Sequence, residues 1–125
     1  MKAVSGVLVI LVRIMFLIQL VLGISFWTGH AFSLIGVHML LGLAIVACLW
    51  ISAIMAATVR VHAGIVVAAL LWGAIVVALG MTQASLVPGP AHWTIQVLHL
   101  LVGIGAIGLN ERINRFMQFR LTQPA

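Results

Sequence analysis

The sequence predicts an all-α, integral-membrane four-helix bundle built from a duplicated helical hairpin, with both termini cytoplasmic. Three observations carry that expectation. Apolar residues make up 65% of the 125-residue chain and charged residues only 6%, with a mean hydropathy of +1.34. A soluble domain is about half apolar and a quarter charged, so this composition belongs to a chain solvated by lipid. The apolar residues form four long runs, and at about 20 residues per membrane-spanning helix four spans use nearly the whole chain. Finally, Leu34-Ile-Gly-Val-His-Met-Leu-Leu-Gly42 is echoed by Ile95-Gln-Val-Leu-His-Leu-Leu-Val-Gly103, with the two histidines 61 residues apart.

The first span is expected over 5–28. It reads as a retained helix rather than a cleaved leader, because Arg13 interrupts the run and no small-x-small cleavage site follows. Arg13 lies about a third of the way in, close enough for its long side chain to snorkel to the inner headgroups. A partner subunit or a bound anionic group is the other way to satisfy it. Thr28-Gly29 breaks the run, and the second span follows over 32–56. Ala57-Thr58-Val59-Arg60 separates it from a third span over 62–86, and Val87-Pro88-Gly89-Pro90 from a fourth over 92–110. These breaks are short, so successive helices are antiparallel neighbours. Residues 1–110 thus form the bundle. Residues 111–125 form a basic amphipathic cytoplasmic tail with Ile113, Phe116, Met117 and Leu121 spaced along it, continuing the last helix and then lying on the interface.

Orientation follows from the cations. Lys2, Arg60, Arg112, Arg115 and Arg120 all fall on one side of four alternating spans, while the two turns on the other side carry no Lys or Arg. The positive-inside rule makes the cation side cytoplasmic, as in a bacterial inner membrane, and places Trp27 and Trp93 at the outer interface. The same distribution excludes nucleic acid as a partner. The net charge of +5 arises from six cations against one acid, Glu111, but those cations flank spans and leave no basic face. A proton-coupled exporter of cations is excluded as well, since Glu111 sits at the membrane edge and no carboxylate lies within a span. The single Cys48 makes no intramolecular disulfide and reads as small buried filler.

His38 and His99 are the candidate ligands. Each lies seven residues inside its span, ~10 Å below the outer end. A histidine in lipid is costly without a partner, and two at one depth point to a shared ligand. Gly42 and Gly103 stand at i+4, one turn deeper on the same face, where a missing side chain leaves room for a flat macrocycle. Gly105 and Gly108 open the fourth helix further. Zinc and copper favour three or four protein ligands, whereas a low-spin haem takes two. The residues alone leave two alternatives open: histidines hydrogen-bonded across the bundle with glycines for close packing, or another metal or quinone-type site.

His30 and His92 lie two turns above that pair. With Ser33, Thr94 and the indole N–H groups of Trp27 and Trp93 they are candidate partners for haem propionates; the alternative for each histidine is an interfacial residue without a role. His62 reads as an ordinary interfacial residue. Two heptads below the pair stand Ser52 and Ile113, which cannot ligate, so one haem per chain is expected.

Gln19-x-x-x-Gly23 near the end of one helix, a short turn, and a histidine seven residues into the next together resemble one four-helix half of heme A synthase. The resemblance covers most of residues 14–110 and includes the roughly sixty-residue spacing between the histidines. More loosely, the plan is similar to four-helix membrane b-type cytochromes. The resemblance implies haem b held by His38 and His99 near the outer face. Two features of the family are absent: Ile35 and Gln96 stand where its catalytic half carries a glutamate one turn before a ligand histidine, and there is no outer-loop cysteine pair. Oxygenase chemistry on a haem methyl is therefore not expected.

Two axial histidines leave iron no open position, which favours electron transfer. The expected function is that of a membrane b-type cytochrome exchanging electrons with quinol or a redox partner protein, with a homodimer as a further expected association. The alternative is a structural or assembly subunit of a larger membrane complex, with histidines that only pack.

Overall fold

Apolar runs without a strong amphipathic bias become helices because a helix satisfies its own interior backbone groups, which lipid cannot do. A computed structural model describes residues 1–123 and consists of α1 (Lys2–Trp27), α2 (Ile35–Thr58), α3 (Ala63–Thr82) and α4 (Trp93–Thr122), with 3₁₀ turns at Phe32–Leu34 and Gln83–Ser85. All four helices are long and apolar enough to cross a membrane, and no strand occurs among the described residues.

The connections stop the helices by backbone geometry. Each contains residues in the left-handed region: Gly29 and Ala31 in the first, Arg60 in the second, Val87 and Gly89 in the third. A β-branched residue in that region is strained, and Val87 adopts it with φ 47°. His62 caps α3, its Nδ1 accepting from the Gly64 N–H at 3.1 Å. Hydroxyls within the helices are satisfied locally, as where Ser25 donates to the Val21 carbonyl at 2.8 Å and Thr82 to the Ala78 carbonyl at 2.7 Å.

Packing is not symmetric about the bundle axis. α2 and α4 contact each other as well as both remaining helices, so the two histidine-bearing helices form the central pair. The buried core of Leu49, Ala53, Ala56, Ala69, Ala106, Ile113 and Met117 sits toward the end that holds the termini. In the opposite half (residues 15–27, 35–44, 74–82 and 93–101), Leu22 is the one buried residue. One half of the bundle is closed by packing and the other is not.

α4 runs through Thr122 without a break at 110. Ile113, Asn114 and Met117 are buried against the other helices, so the first part of the expected tail belongs to the bundle. Ile113 and Met117 face the core, which gives the helix a reason to continue. The last two residues of that tail, 124 and 125, lie outside the described residues.

Candidate functional site

The loosely packed half holds the histidine pair. α2 delivers His38 and α4 delivers His99, and their ring centroids stand 6.2 Å apart with planes tilted by 48°. Nδ1 of each ring is buried without a hydrogen-bond partner, as is Oε1 of Gln19 on α1. An unmatched buried polar atom costs about 1–3 kcal/mol, and three such atoms on neighbouring side chains concentrate that cost in one layer. Phe26 closes one side, its ring 5.3 Å from that of His38 in an edge-on arrangement.

The glycines act differently from the sequence-level expectation. A Cβ on Gly23 would stand 3.9 Å from His38 Cε1, and one on Gly80 would stand 3.5 Å from His99 Cε1. Each ring therefore lies against a glycine of the preceding helix, and the contact recurs in both hairpins. Gly42 admits a different neighbour, since its Cβ would lie 3.0 Å from Gln19 Nε2. Gly103 faces open space, with nothing within 4 Å of the same position, and so does Gly108. Gly105 is filled by the indole of Trp72, whose Nε1 donates to the Val102 carbonyl at 2.9 Å. Gly73 takes the indole of Trp50, whose Nε1 donates to the Leu70 carbonyl at 3.1 Å.

His30 and His92 are held locally at the ends of their turns. His30 Nδ1 lies 3.3 Å from Thr28 Oγ1, and His92 Nδ1 donates to the Leu86 carbonyl at 3.1 Å. Trp93 opens α4 and is 55% exposed, as an interfacial indole would be. Among the described residues no three His, Cys, Asp or Glu side chains group to hold a metal. The donor set at the pair is two imidazoles, which suits a group that brings its own remaining ligands. For a first-row metal held end-on between two imidazoles, bonds of ~2.0–2.1 Å and a ring centre about 1.1 Å behind each nitrogen separate the centres by ~6.2–6.4 Å. The observed centroid separation is of that length.

A second polar cluster was not anticipated. Ser5 donates to Asn114 Oδ1 at 2.7 Å, and Asn114 Nδ2 donates to Ser52 Oγ at 3.0 Å and to the Asn110 carbonyl at 2.8 Å. All four side chains are at most 1% exposed. Gln118 Nε2 donates to Ser5 Oγ at 3.2 Å, which extends the network toward the chain ends. Above it, Arg13 Nε donates to Glu111 Oε1 at 2.8 Å. Glu111 is thus a partner for Arg13 within the chain, one that the expectation of headgroups, a partner subunit or a bound anion did not include. Asparagines at 110 and 114, one turn apart where the span was expected to give way to the tail, were the available signal.

No protein-family model, curated protein or solved structure matches the chain.

Proposed function

We propose that the chain is a membrane b-type cytochrome that binds one haem b between His38 and His99. The observation that carries this reading is the 6.2 Å separation of two half-buried imidazoles, each with a buried, unpartnered Nδ1, on the two central helices. A bound haem supplies a one-electron iron couple. His38 and His99 would hold the group through their imidazoles, and with two protein ligands the chemistry it would supply is electron transfer rather than reaction with oxygen. Gly23 and Gly80 let α1 and α3 approach the rings, which restricts their tilt. Gln19 brings a carboxamide to the same layer, where the alternative nitrogen of a ligand histidine needs a hydrogen-bond acceptor.

The cation distribution supports a site toward the outer face of a bacterial inner membrane, with both termini inside. There the exchange partners are quinol in the bilayer or a redox protein at the surface. The test is a visible spectrum of protein purified after expression with haem supply. A sharp reduced α band and its loss in His38→Ala and in His99→Ala are expected. A colourless wild-type protein, or a spectrum retained in both variants, would overturn the assignment.

A further inference from the structure

Two clefts open near the end of the bundle that holds the termini. The first, between α1 and α4, is mostly polar, and its Arg13 is already paired with Glu111. The second, of about 450 Å³, lies between α3 and α4 and has a different character. Ile65, Ala68, Leu109 and Phe116 give it an apolar wall, while Arg112 and His62 supply its polar groups. It lies ~20 Å along α4 from His99, so it is separate from the histidine pair.

The polar groups here are donors only. The Arg112 guanidinium lies 5.7 Å from the centroid of the Phe116 ring, which holds the cation in place without neutralising it. Among the described residues the single ion pair is that of Arg13 with Glu111, so Arg112 has no carboxylate partner. His62 has its tautomer fixed by its role as helix cap. The Gly64 N–H can only donate, so His62 Nδ1 presents a lone pair and the proton of the neutral ring resides on Nε2. The cleft therefore offers one fixed cation and one N–H donor beside an apolar wall.

We propose that this cleft binds one anionic glycerophospholipid. Its phosphate oxygens accept from Arg112 and from His62 Nε2–H, and an acyl chain lies along Ile65, Ala68 and Leu109. Charge complementarity selects this occupant: Lys2, Arg60, Arg112, Arg115 and Arg120 gather at one end, which by the positive-inside rule meets the anionic leaflet. A neutral amphiphile would leave the Arg112 charge unmatched.

Native mass spectrometry of the full chain, released from micelles containing phosphatidylglycerol or phosphatidylcholine, tests the site. One phosphatidylglycerol adduct is expected to survive activation that strips phosphatidylcholine. Arg112→Gln should lower the retained fraction about fivefold, the effect of one cation near the surface. His62→Asn keeps an N-cap acceptor but removes the ring donor, and should also lower it. Arg120→Gln, at the far end of α4, should not, and circular dichroism verifies that each variant keeps its helices. Equal retention of the two lipids, or equal losses in Arg112→Gln and Arg120→Gln, would overturn the proposal. Release of the lipid by inorganic phosphate would assign the cleft to a soluble anion instead, and release by a short-chain quinone to a neutral redox ring; either result refutes lipid binding.

Discussion

Replacing Asn114 by leucine removes the hub that joins three helices. The side chain is 1% exposed, accepts from Ser5 on α1 and donates to Ser52 on α2. Its bond to the Asn110 carbonyl is internal to α4 and can be replaced locally, so only the two cross-helix bonds count. Such bonds average ~0.6 kcal/mol in membrane bundles and reach ~1.7, which gives a loss of about 1–3 kcal/mol for the pair. Leucine is close in volume, so a cavity adds little. The stranded serines can fold back onto their own helix carbonyls, which limits the penalty further. Reversible unfolding in mixed micelles measures the loss. A cycle with Ser5→Ala should isolate a Ser5–Asn114 coupling near ~0.6 kcal/mol. A stability change under about 0.3 kcal/mol, or a stabilised variant, would show that the network does not tie the helices together.

Three further outcomes follow from the same geometry. At Gly80 a Cβ meets His99 at an ordinary van der Waals distance, so Gly80→Ala should keep the absorption spectrum and Gly80→Leu should displace the ring and lose it. At Gly73 even a Cβ collides with the Trp50 indole, so Gly73→Ala should cost about 1–3 kcal/mol by overpacking, with partial recovery on adding Trp50→Phe in thermal melts. In a Cys48→Ser background, Ala91→Cys should react with an impermeant maleimide in spheroplasts and Gln123→Cys only after lysis; the reverse pattern would invert the orientation.

Much of the fold was legible because it is local. Four apolar runs separated by glycine, proline and polar breaks reproduce α1 to α3 to within a few residues, including the turn at 28–31 where Gly29 takes a positive φ. The exception was in α4, whose continuation past 110 was expected to leave the bundle for the interface because polarity rises there. That polarity is partly turned inward as Asn110 and Asn114, and an inward polar residue looks in sequence like a solvated one. At the candidate site, His38 and His99 were legible from their repeat and depth. Their glycine neighbours were not: the expected Gly42 and Gly103 share a helix with the rings, whereas Gly23 and Gly80 belong to the adjacent helices and meet the rings only across the interface.

The sequence by itself determined the number of helices, their order and the pairing of two histidines at one depth. Hydrophobic length and turn chemistry act along the chain, and equal spacing from equivalent breaks needs no knowledge of neighbours. Only the tertiary structure decided which faces meet. On uniformly apolar helices no hydrophobic gradient selects a face, so close packing and a few hydrogen bonds choose it. Here the choice falls to the indoles of Trp50 and Trp72 seated on glycines and to Asn114 bridging Ser5 and Ser52. Ser52 lies fourteen residues below His38 and Asn114 fifteen below His99, a span of ~21–22 Å on each helix. Two parallel helices pinned at one end by that contact hold their histidines level at the other.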